Sequence, residues 1–313
     1  MNKNEKYCIL TNDVETTSIA NHCLSAEAGD LVLNEGMPAL LDLYKKYNIR
    51  STFFFNGDII RQHPGIVKMI IKDGHEAASH GWVHYPDQAF DVLPLEEQIK
   101  HLTLSKQLLE ELSGQTIVSF RAPALRINEE TVKALTNTGF KIDSSVSPQR
   151  MDMFFSFGVI KKLKWFFAPR LPYFTSDRKL WKKGNGKVFE IPISAVGFPY
   201  IGTLLRITPL LTRITRYLLH WETCVTGKPI VFLTHPNEFM NEKVTSEKTE
   251  RRSKNFISYI LGDVIRRKLK LRNLGSKALP LYEREIRFFH KKGYKFVTCA
   301  NYFNLNNKTE NAG

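Results

Sequence analysis

Short apolar runs alternate with amphipathic stretches along most of this 313-residue chain. The runs are four to six residues long, and their apolar and β-branched content predicts β-strands. The eight runs of this kind are Tyr7–Asn12, Arg50–Phe55, Glu76–Ser79, Val118–Arg121, Lys141–Ser144, Phe189–Ile193, Ile230–Thr234 and Lys295–Cys299. Because helical stretches separate the strands, the pattern predicts an α/β fold with a parallel sheet covered by helices.

Helical spacing is clearest in two of the intervening segments. Apolar residues recur every three or four positions in Glu35–Tyr47, and the same pattern in Leu95–Leu112 ends before Gly114, a typical helix stop. Asn128 is expected to cap a third helix, because two acidic residues follow it at the positive helix end. The number of strands permits closure of the sheet into a barrel, although periodicity alone leaves closure open.

Two basic regions interrupt the alternation. Residues 151–187 are aromatic, basic and loop-like, and residues 251–277 include a basic amphipathic helix candidate, Phe256–Leu274. With a formal net charge of +14, these regions suggest an anionic membrane surface, an anionic glycan or a lipid pyrophosphate as partner, while solvated basic faces are an equal alternative. No finger, helix-turn-helix or RNA-binding signature occurs, so a nucleic-acid partner is not expected.

Hydrophobic residues make up 42% of the chain, which is enough for a large core. The sequence has no apolar stretch typical of a signal peptide and no run of roughly 18–20 apolar residues that would span a membrane. We therefore expect a cytoplasmic protein, with at most a peripheral contact to the inner face of the membrane.

Polar side chains follow the ends of three predicted strands. Asp13 and Glu15 end the first strand, and their i, i+2 spacing points both carboxylates into one pocket. His80 and His84 follow another strand, and two imidazoles with a carboxylate form a plausible site for a divalent cation. Since two neighbouring carboxylates repel each other, one is expected to bind metal while the other acts as a base. His235 follows a strand of the buried type, where it fits a general acid.

A buried arginine is a further candidate. Arg121 leaves an apolar run at a depth where a charge needs a partner, and Asp143 is the expected carboxylate. Such a pair could orient the catalytic carboxylate, although a purely structural ion pair is the rival interpretation. Among the remaining histidines, only His22 is kept as a reserve candidate, because it is near Asp13 in the chain.

In order and spacing, these residues resemble the polysaccharide deacetylases of carbohydrate esterase family four, the chitooligosaccharide-deacetylase homology domain. The similarity extends from about Tyr7 to about Glu238. The five motifs that carry it are Thr11–Glu15 in an Asp-Val-Glu variant, Ser79–His84, Phe120–Pro123, Asp143–Ser145 and Leu233–Pro236. Each motif is weakly specific alone, and their shared order makes the resemblance strong.

The resemblance implies a distorted (β/α) barrel with seven to eight parallel strands. One catalytic domain would cover residues 1–305, including the insertion at 151–187 and the basic segment at 251–277, followed by a polar tail at 306–313. The implied activity is metal-dependent removal of N-acetyl groups from a sugar in a polysaccharide or lipid-linked glycan precursor. Such an enzyme would act in the biosynthesis of a cell-surface polysaccharide.

The resemblance also assigns individual roles. The residues implied to hold a divalent metal, with zinc as the first choice, are Glu15, His80 and His84. Asp13 is the implied general base and His235 the general acid, while Arg121 and Asp143 would tune the base. Glu15 stands one residue beyond the usual second aspartate, so the metal-binding carboxylate stays open between Asp13 and Glu15. Glu15 is favoured because its longer side chain must reach across the strand end.

Two alternatives remain at this point. The first is hydrolysis of another non-peptide C–N bond, such as that of a cyclic ureide. The second is a catalytically silent barrel that binds anionic membrane or polymer through its basic regions. The presence of every expected catalytic residue type counts against the silent barrel.

Overall fold

The computed structural model describes residues 5–21, 23–149, 165–243 and 265–310. The strands of this part of the chain are β1 (Tyr7–Val14), β2 (Thr52–Phe55), β3 (Glu76–Ser79), β4 (Ser119–Phe120), β5 (Ile142–Asp143), β6 (Tyr173–Phe174), β7 (Phe189–Glu190), β8 (Ala195–Val196), β9 (Phe198–Pro199), β10 (Ile230–Thr234) and β11 (Lys295–Phe296). Strands β8 and β9 form a small hairpin, and the other nine belong to one sheet. Each of the eight predicted strands overlaps an observed strand.

Helices connect the strands. They are α1 (Ala26–Leu31), α2 (Met37–Lys46), α3 (Gly57–Gln62), α4 (Gly65–Lys72), α5 (Leu95–Ser113), α6 (Thr131–Asn137), α7 (Gly202–Ile207), α8 (Pro209–Thr226), α9 (Arg266–Lys270), α10 (Ala278–Lys291) and α11 (Cys299–Glu310). Glu130, not Asn128, is the N-cap of α6, because the Asn128 side chain instead accepts the Glu130 N–H at 3.0 Å in a turn. Within the described ranges, no helix combines the length and apolarity that crossing a membrane requires.

Part of each of the two basic regions lies outside the described residues. This holds for 151–164 of the insertion and for 256–264 of the predicted helix Phe256–Leu274. The described remainder contains β6 in the first region and α9 in the second. Helix α11 extends to Glu310, into the residues that the sequence analysis assigned to a polar tail.

The main sheet has the strand order β10-β1-β2-β3-β4-β5-β7-β6, with β11 beside β1. Only β6 runs antiparallel, so eight of its nine strands are parallel. The two ends approach each other where the Ser194 N–H donates to the Val231 carbonyl at 3.1 Å, and the Val231 N–H donates to Ser194 Oγ at 2.9 Å. This incomplete closure confirms the predicted distorted barrel with seven to eight parallel strands.

Alternation along the strands separates two buried layers. Phe54 belongs to the cluster inside the barrel, whereas its neighbours Phe53 and Phe55 pack in the larger cluster beneath the helices. On β1, Ile9 faces inward, so Asp13, four residues on, faces inward at the carboxyl end. Because eight of the strands are parallel, their carboxyl ends open at the same rim of the barrel, where such folds carry their sites.

Candidate active site

Strand β1 supplies two carboxylates to this rim. Asp13 lies within the strand, in register with Phe54 of β2, and Glu15 follows directly. His80 follows β3, where its N–H donates to the Phe55 carbonyl at 2.7 Å. The next residue, Gly81, has φ of +75°, a conformation that favours glycine and turns the chain toward His84.

Three side chains form a cluster suited to a metal ion. One donor atom each from Glu15, His80 and His84 lies within 4.8 Å of the other two. Glu15 Oε2 is 3.0 Å from His84 Nε2, yet this buried oxygen accepts no hydrogen bond from any described residue. A buried carboxylate oxygen without a donor is rare, and the two-nitrogen, one-oxygen donor set fits a divalent cation.

The imidazole of His80 is prepared for ligation. Its Nδ1 lies 2.8 Å from the Arg121 carbonyl oxygen, so Nδ1 carries the hydrogen and Nε2 presents its lone pair to the site. Burial lowers the pKa of His80 to about 4, although the nearby Asp13 charge opposes the shift. The ring is therefore neutral at physiological pH, which is the form that binds metals.

Asp13 is held by a fully buried guanidinium. Arg121 Nη1 donates to Asp13 Oδ1 at 2.8 Å and to Thr11 Oγ1 at 2.9 Å. The other guanidinium nitrogens donate to the Ser144 carbonyl and hydroxyl oxygens, each at 2.8 Å. The guanidinium also lies 4.3 Å from the centre of the Phe54 ring. These contacts fix the position of Arg121 and, through it, one oxygen of Asp13.

The second oxygen of Asp13 faces two histidines. Asp13 Oδ2 lies 3.9 Å from Nε2 of both His80 and His235. Burial alone would raise the pKa of Asp13, but the charges of Arg121 and His235 outweigh it and hold this pKa below its ordinary value. Asp13 is therefore ionised at neutral pH, with one oxygen bound by Arg121 and one directed at the site.

The pKa of His235 is shifted in the opposite direction to that of His80. Its Nδ1 lies 3.3 Å from Glu238 Oε1, and Glu238 Oε2 lies 3.4 Å from Arg206 Nε. Burial disfavours the imidazolium, but the hydrogen bond to Glu238 and the charges of Asp13 and Glu15 raise the pKa of His235 to about 9. His235 is therefore protonated at neutral pH, and its Nε2 is directed toward Asp13.

Close packing of α7 fixes the position of Glu238. A Cβ on Gly202 would lie 2.1 Å from Glu238 Oε2 and 2.7 Å from Thr234 Oγ1, so only glycine fits there. Beside His235 and Glu238 opens a cavity of about 160 Å³, which Glu15, Arg206 and Lys270 also line.

The predicted ion pair between Arg121 and Asp143 is wrong. Within the described residues, the carboxylate partner of Arg121 is Asp13. Asp143 is in register with Phe120, which packs in the outer cluster, whereas Arg121 one residue later faces the interior. Alternation along the strands therefore places Asp143 on the opposite face of the sheet and brings Ser144 to Arg121.

Asp143 instead pairs with a second carboxyl group, Glu190 of β7, which is its register neighbour. Burial, together with the Asp143 charge, raises the pKa of Glu190 well above its ordinary value, and burial also raises the pKa of Asp143. The pair therefore retains a proton at pH values where an ordinary carboxyl group would have lost it. Ser145 Oγ donates to Asp143 at 2.6 Å and accepts the Ala122 N–H at 2.9 Å, which connects the pair to the loop after Arg121.

Six of the seven predicted site residues converge at the interior rim, and Asp143 lies behind them on the outer face. The sequence analysis missed the residues that contact these groups, namely Thr11, Ser144, Glu190, Arg206 and Glu238. For Glu238, the i+3 spacing after His235 and the intervening Pro236 were a usable signal of a tight turn. His22 lies outside the described residues.

Sequence comparisons find similar proteins among known deacetylases. Residues 3–142 match the family model described as polysaccharide deacetylase, so over this range the chain is similar to that family. It is 34% identical over 111 residues to a peptidoglycan deacetylase of Helicobacter pylori, covering 36% of this chain and 37% of that protein. A peptidoglycan-N-acetylglucosamine deacetylase of Bacillus cereus is 31% identical over 108 residues, covering 34% of this chain and 38% of that protein. The chain thus spans about two fifths of the length of these relatives.

Solved structures share the fold. A protein described as a polysaccharide deacetylase from Mycobacterium smegmatis superposes with a TM-score of 0.51 at 22% identity, covering 74% of this chain and 78% of that chain. A peptidoglycan N-acetylglucosamine deacetylase superposes with a TM-score of 0.50 at 16% identity, covering 96% and 88%. At these identities the likeness concerns the barrel alone.

Proposed function

We propose that this protein is a metal-dependent hydrolase that removes acetyl groups from an N-acetylated sugar in a polysaccharide or lipid-linked glycan precursor. The observation that carries the proposal is the meeting of a Glu15, His80 and His84 cluster with an ionised Asp13 and a protonated His235. The match of residues 3–142 to the polysaccharide deacetylase family model supports it, as do the names of the relatives. A cytoplasmic location stays a prediction.

The metal would be held by Glu15, His80 and His84. Zinc is the first choice because three protein ligands of this type leave a position open for catalysis. A divalent cation bound there supplies Lewis-acid polarisation of the acetamide carbonyl and lowers the pKa of water. Asp13 is less suited to ligation, because Arg121 occupies one of its oxygens.

Asp13 and His235 divide the proton transfers. Asp13 Oδ2 accepts a proton from the attacking water, and Arg121 keeps that carboxylate ionised and oriented until then. His235 Nε2 donates a proton to the nitrogen of the sugar as the C–N bond breaks, which yields acetate and a free amine. Asp143 is proposed to act at a distance, by positioning the loop after Arg121 through Ser145.

The test is acetate release from N-acetylhexosamine oligomers. Chelation should abolish release and added zinc should restore it, while Asp13→Asn should abolish release with metal still bound. Asp42→Asn, an exposed aspartate on α2, serves as the matched control. Activity that survives either treatment would contradict the proposal, and a ring-opened acid from cyclic ureides in place of acetate would favour the alternative hydrolase.

A further inference from the structure

Helix α8 has an inverted distribution of polar and apolar residues. Its outward face carries exposed apolar side chains, here called the α8 stripe: Leu210, Ile214, Tyr217, Leu218, Trp221 and Val225. Its buried face consists mainly of polar side chains: Thr212, Thr215, Arg216, Leu219 and Thr223. A helix on the surface of a globular protein normally has the reverse arrangement.

The α8 stripe is continuous. Its residues follow the spacing of three and four that aligns side chains along one face, so it forms a band about 100° wide. At 1.5 Å per residue, the 18-residue helix is about 27 Å long. Leu210 is 71% exposed at one end and Trp221 is 68% exposed further along. Clustered exposure of this kind marks an interaction surface, whereas singly scattered apolar residues do not.

The polar face of α8 is committed to the fold. Arg216 donates to Glu285 of α10 at 2.9 Å, and its guanidinium lies 4.1 Å from the centre of the Phe288 ring. Tyr217 packs edge-to-face against the same ring at 5.1 Å. Rotation of α8 to bury the α8 stripe would break the buried ion pair between Arg216 and Glu285. This ion pair therefore holds the stripe in its outward orientation.

Positive charge borders the α8 stripe on the side of α10. The exposed residues Arg213, Arg284, Arg287 and Lys291 line a groove of about 480 Å³ there. Glu285, which also lines the groove, is buried and paired with Arg216.

On the opposite side of the α8 stripe, two cationic side chains compensate the negative charge of Glu222. Arg170 donates to it at 2.7 Å through Nε, and Lys228 donates to it at 3.0 Å. The segment before Arg170 adds Phe167, which is 89% exposed. Apolar and aromatic side chains with a basic border match the interface of an anionic bilayer.

We propose that α8 docks this protein on an anionic membrane surface, with the helix lying in the interface plane and the α8 stripe facing the acyl chains. Tryptophan and tyrosine, the residue types of Trp221 and Tyr217, are enriched at membrane–water interfaces. The surface differs from both basic regions singled out in the sequence. Helix α7, which carries Arg206, immediately precedes α8, so docking would bring the rim of the barrel close to the membrane.

The experiment uses the full chain and vesicles of phosphatidylcholine, with or without one quarter phosphatidylglycerol. We expect sedimentation with the anionic vesicles, weakened by salt, and a loss of about tenfold or more in the Ile214→Asp, Trp221→Asp double variant. Leu104→Asp, at an exposed apolar position of α5, should bind as the unsubstituted chain does. An Arg213→Ser, Arg284→Ser, Arg287→Ser variant should lose most of the preference for anionic lipid.

Three results would overturn the proposal. One is the absence of vesicle binding, or binding equal in the double variant and in the unsubstituted chain. Another is a dimer in light scattering that the double variant converts to a monomer, which would assign the α8 stripe to a second copy. The last is a fall of several degrees in the Tm of the double variant but not of Leu104→Asp, because the stripe would then be covered by the chain itself. This test is independent of acetate release, so membrane docking and hydrolysis can fail separately.

Discussion

Arg121 holds Asp13 with its guanidinium and at the same time orients His80 with its backbone carbonyl. The side-chain contact is a 2.8 Å buried ion pair, and the carbonyl oxygen lies 2.8 Å from His80 Nδ1. One residue therefore connects the proposed base with a proposed metal ligand. Removing one partner of a buried ion pair costs about 3–5 kcal/mol, because the remaining charge is left uncompensated.

Arg121→Lys should lower kcat by about 10- to 100-fold while metal affinity changes little. Lysine keeps the charge but cannot contact Thr11, Asp13 and Ser144 together, whereas the carbonyl that orients His80 remains. Steady-state kinetics and metal titration on the same preparation separate the two effects. An equal loss of metal affinity would show that Arg121 acts on the metal cluster as a whole.

Glu15→Gln should weaken metal binding by about tenfold or more, whereas Asp13→Asn should leave it nearly unchanged. Glu15 Oε2 has no hydrogen-bond donor among the described residues, while Asp13 is engaged by Arg121. Calorimetric titration of the metal-free variants with zinc measures the zinc affinity of each. The reverse ranking would identify Asp13 as the metal ligand and assign the base to Glu15.

Glu238→Gln should shift the alkaline decline of kcat/KM to lower pH. His235 must be protonated to donate, so activity falls as the pH rises through its pKa, which the carboxylate of Glu238 helps to raise. Without that carboxylate the pKa of His235 is lower. The measurement is a pH–rate profile, with Glu242→Gln on the following loop as the control. An unchanged alkaline limb would show that Glu238 only supports the fold.

Gly202→Ala should disturb the contact between Glu238 and His235. The added Cβ would meet Glu238 Oε2 at 2.1 Å and displace it from its contacts. Gly65→Ala is the matched control, because a Cβ at Gly65 has no heavy atom within 4 Å. We expect at least a tenfold lower kcat/KM for Gly202→Ala and unchanged kinetics for Gly65→Ala. Equal kinetics in both variants would mean that α7 moves aside without disturbing Glu238.

Glu190→Gln should reduce the dependence of stability on pH. The pKa of Glu190 is raised in the folded protein, so its stabilising contribution is complete below the ordinary value of 4.5 and is lost as pH rises through the folded pKa. A glutamine amide at this position can donate to the Asp143 carboxylate without titrating. Denaturant unfolding between about pH 5 and 8 should show a smaller loss of stability in the variant than in the unsubstituted chain. Glu96→Gln, at an exposed position of α5, should keep the full slope.

The sequence predicted the strands and the converging rim because strand ends leave local signals. Buried runs bounded by polar residues locate β1, β3 and β10, and parallel strands necessarily bring Asp13, His80 and His235 to one rim. The predicted fold is confirmed for this reason. The order of the motifs then added roles that no single motif could supply.

What the sequence did not predict depends on register and on long-range contacts. The face on which Asp143 lies follows from the pairing of β4 with β5, and a shift of one residue reverses it. Arg206 reaches Glu238 only through the packing of α7, 32 positions away in the chain. Helix α8 was not assigned at all, because the expected inward apolar face is absent from it.

Strand β1 is buried along all eight of its residues and is paired with β2, β10 and β11. Since Asp13 belongs to this strand, its amide should exchange with solvent only through global unfolding, as slowly as the most protected positions of the molecule. A reaction centre anchored in this way has little freedom to adapt to a new substrate. Evolution toward a different sugar would therefore have to proceed through the loops that follow the strands.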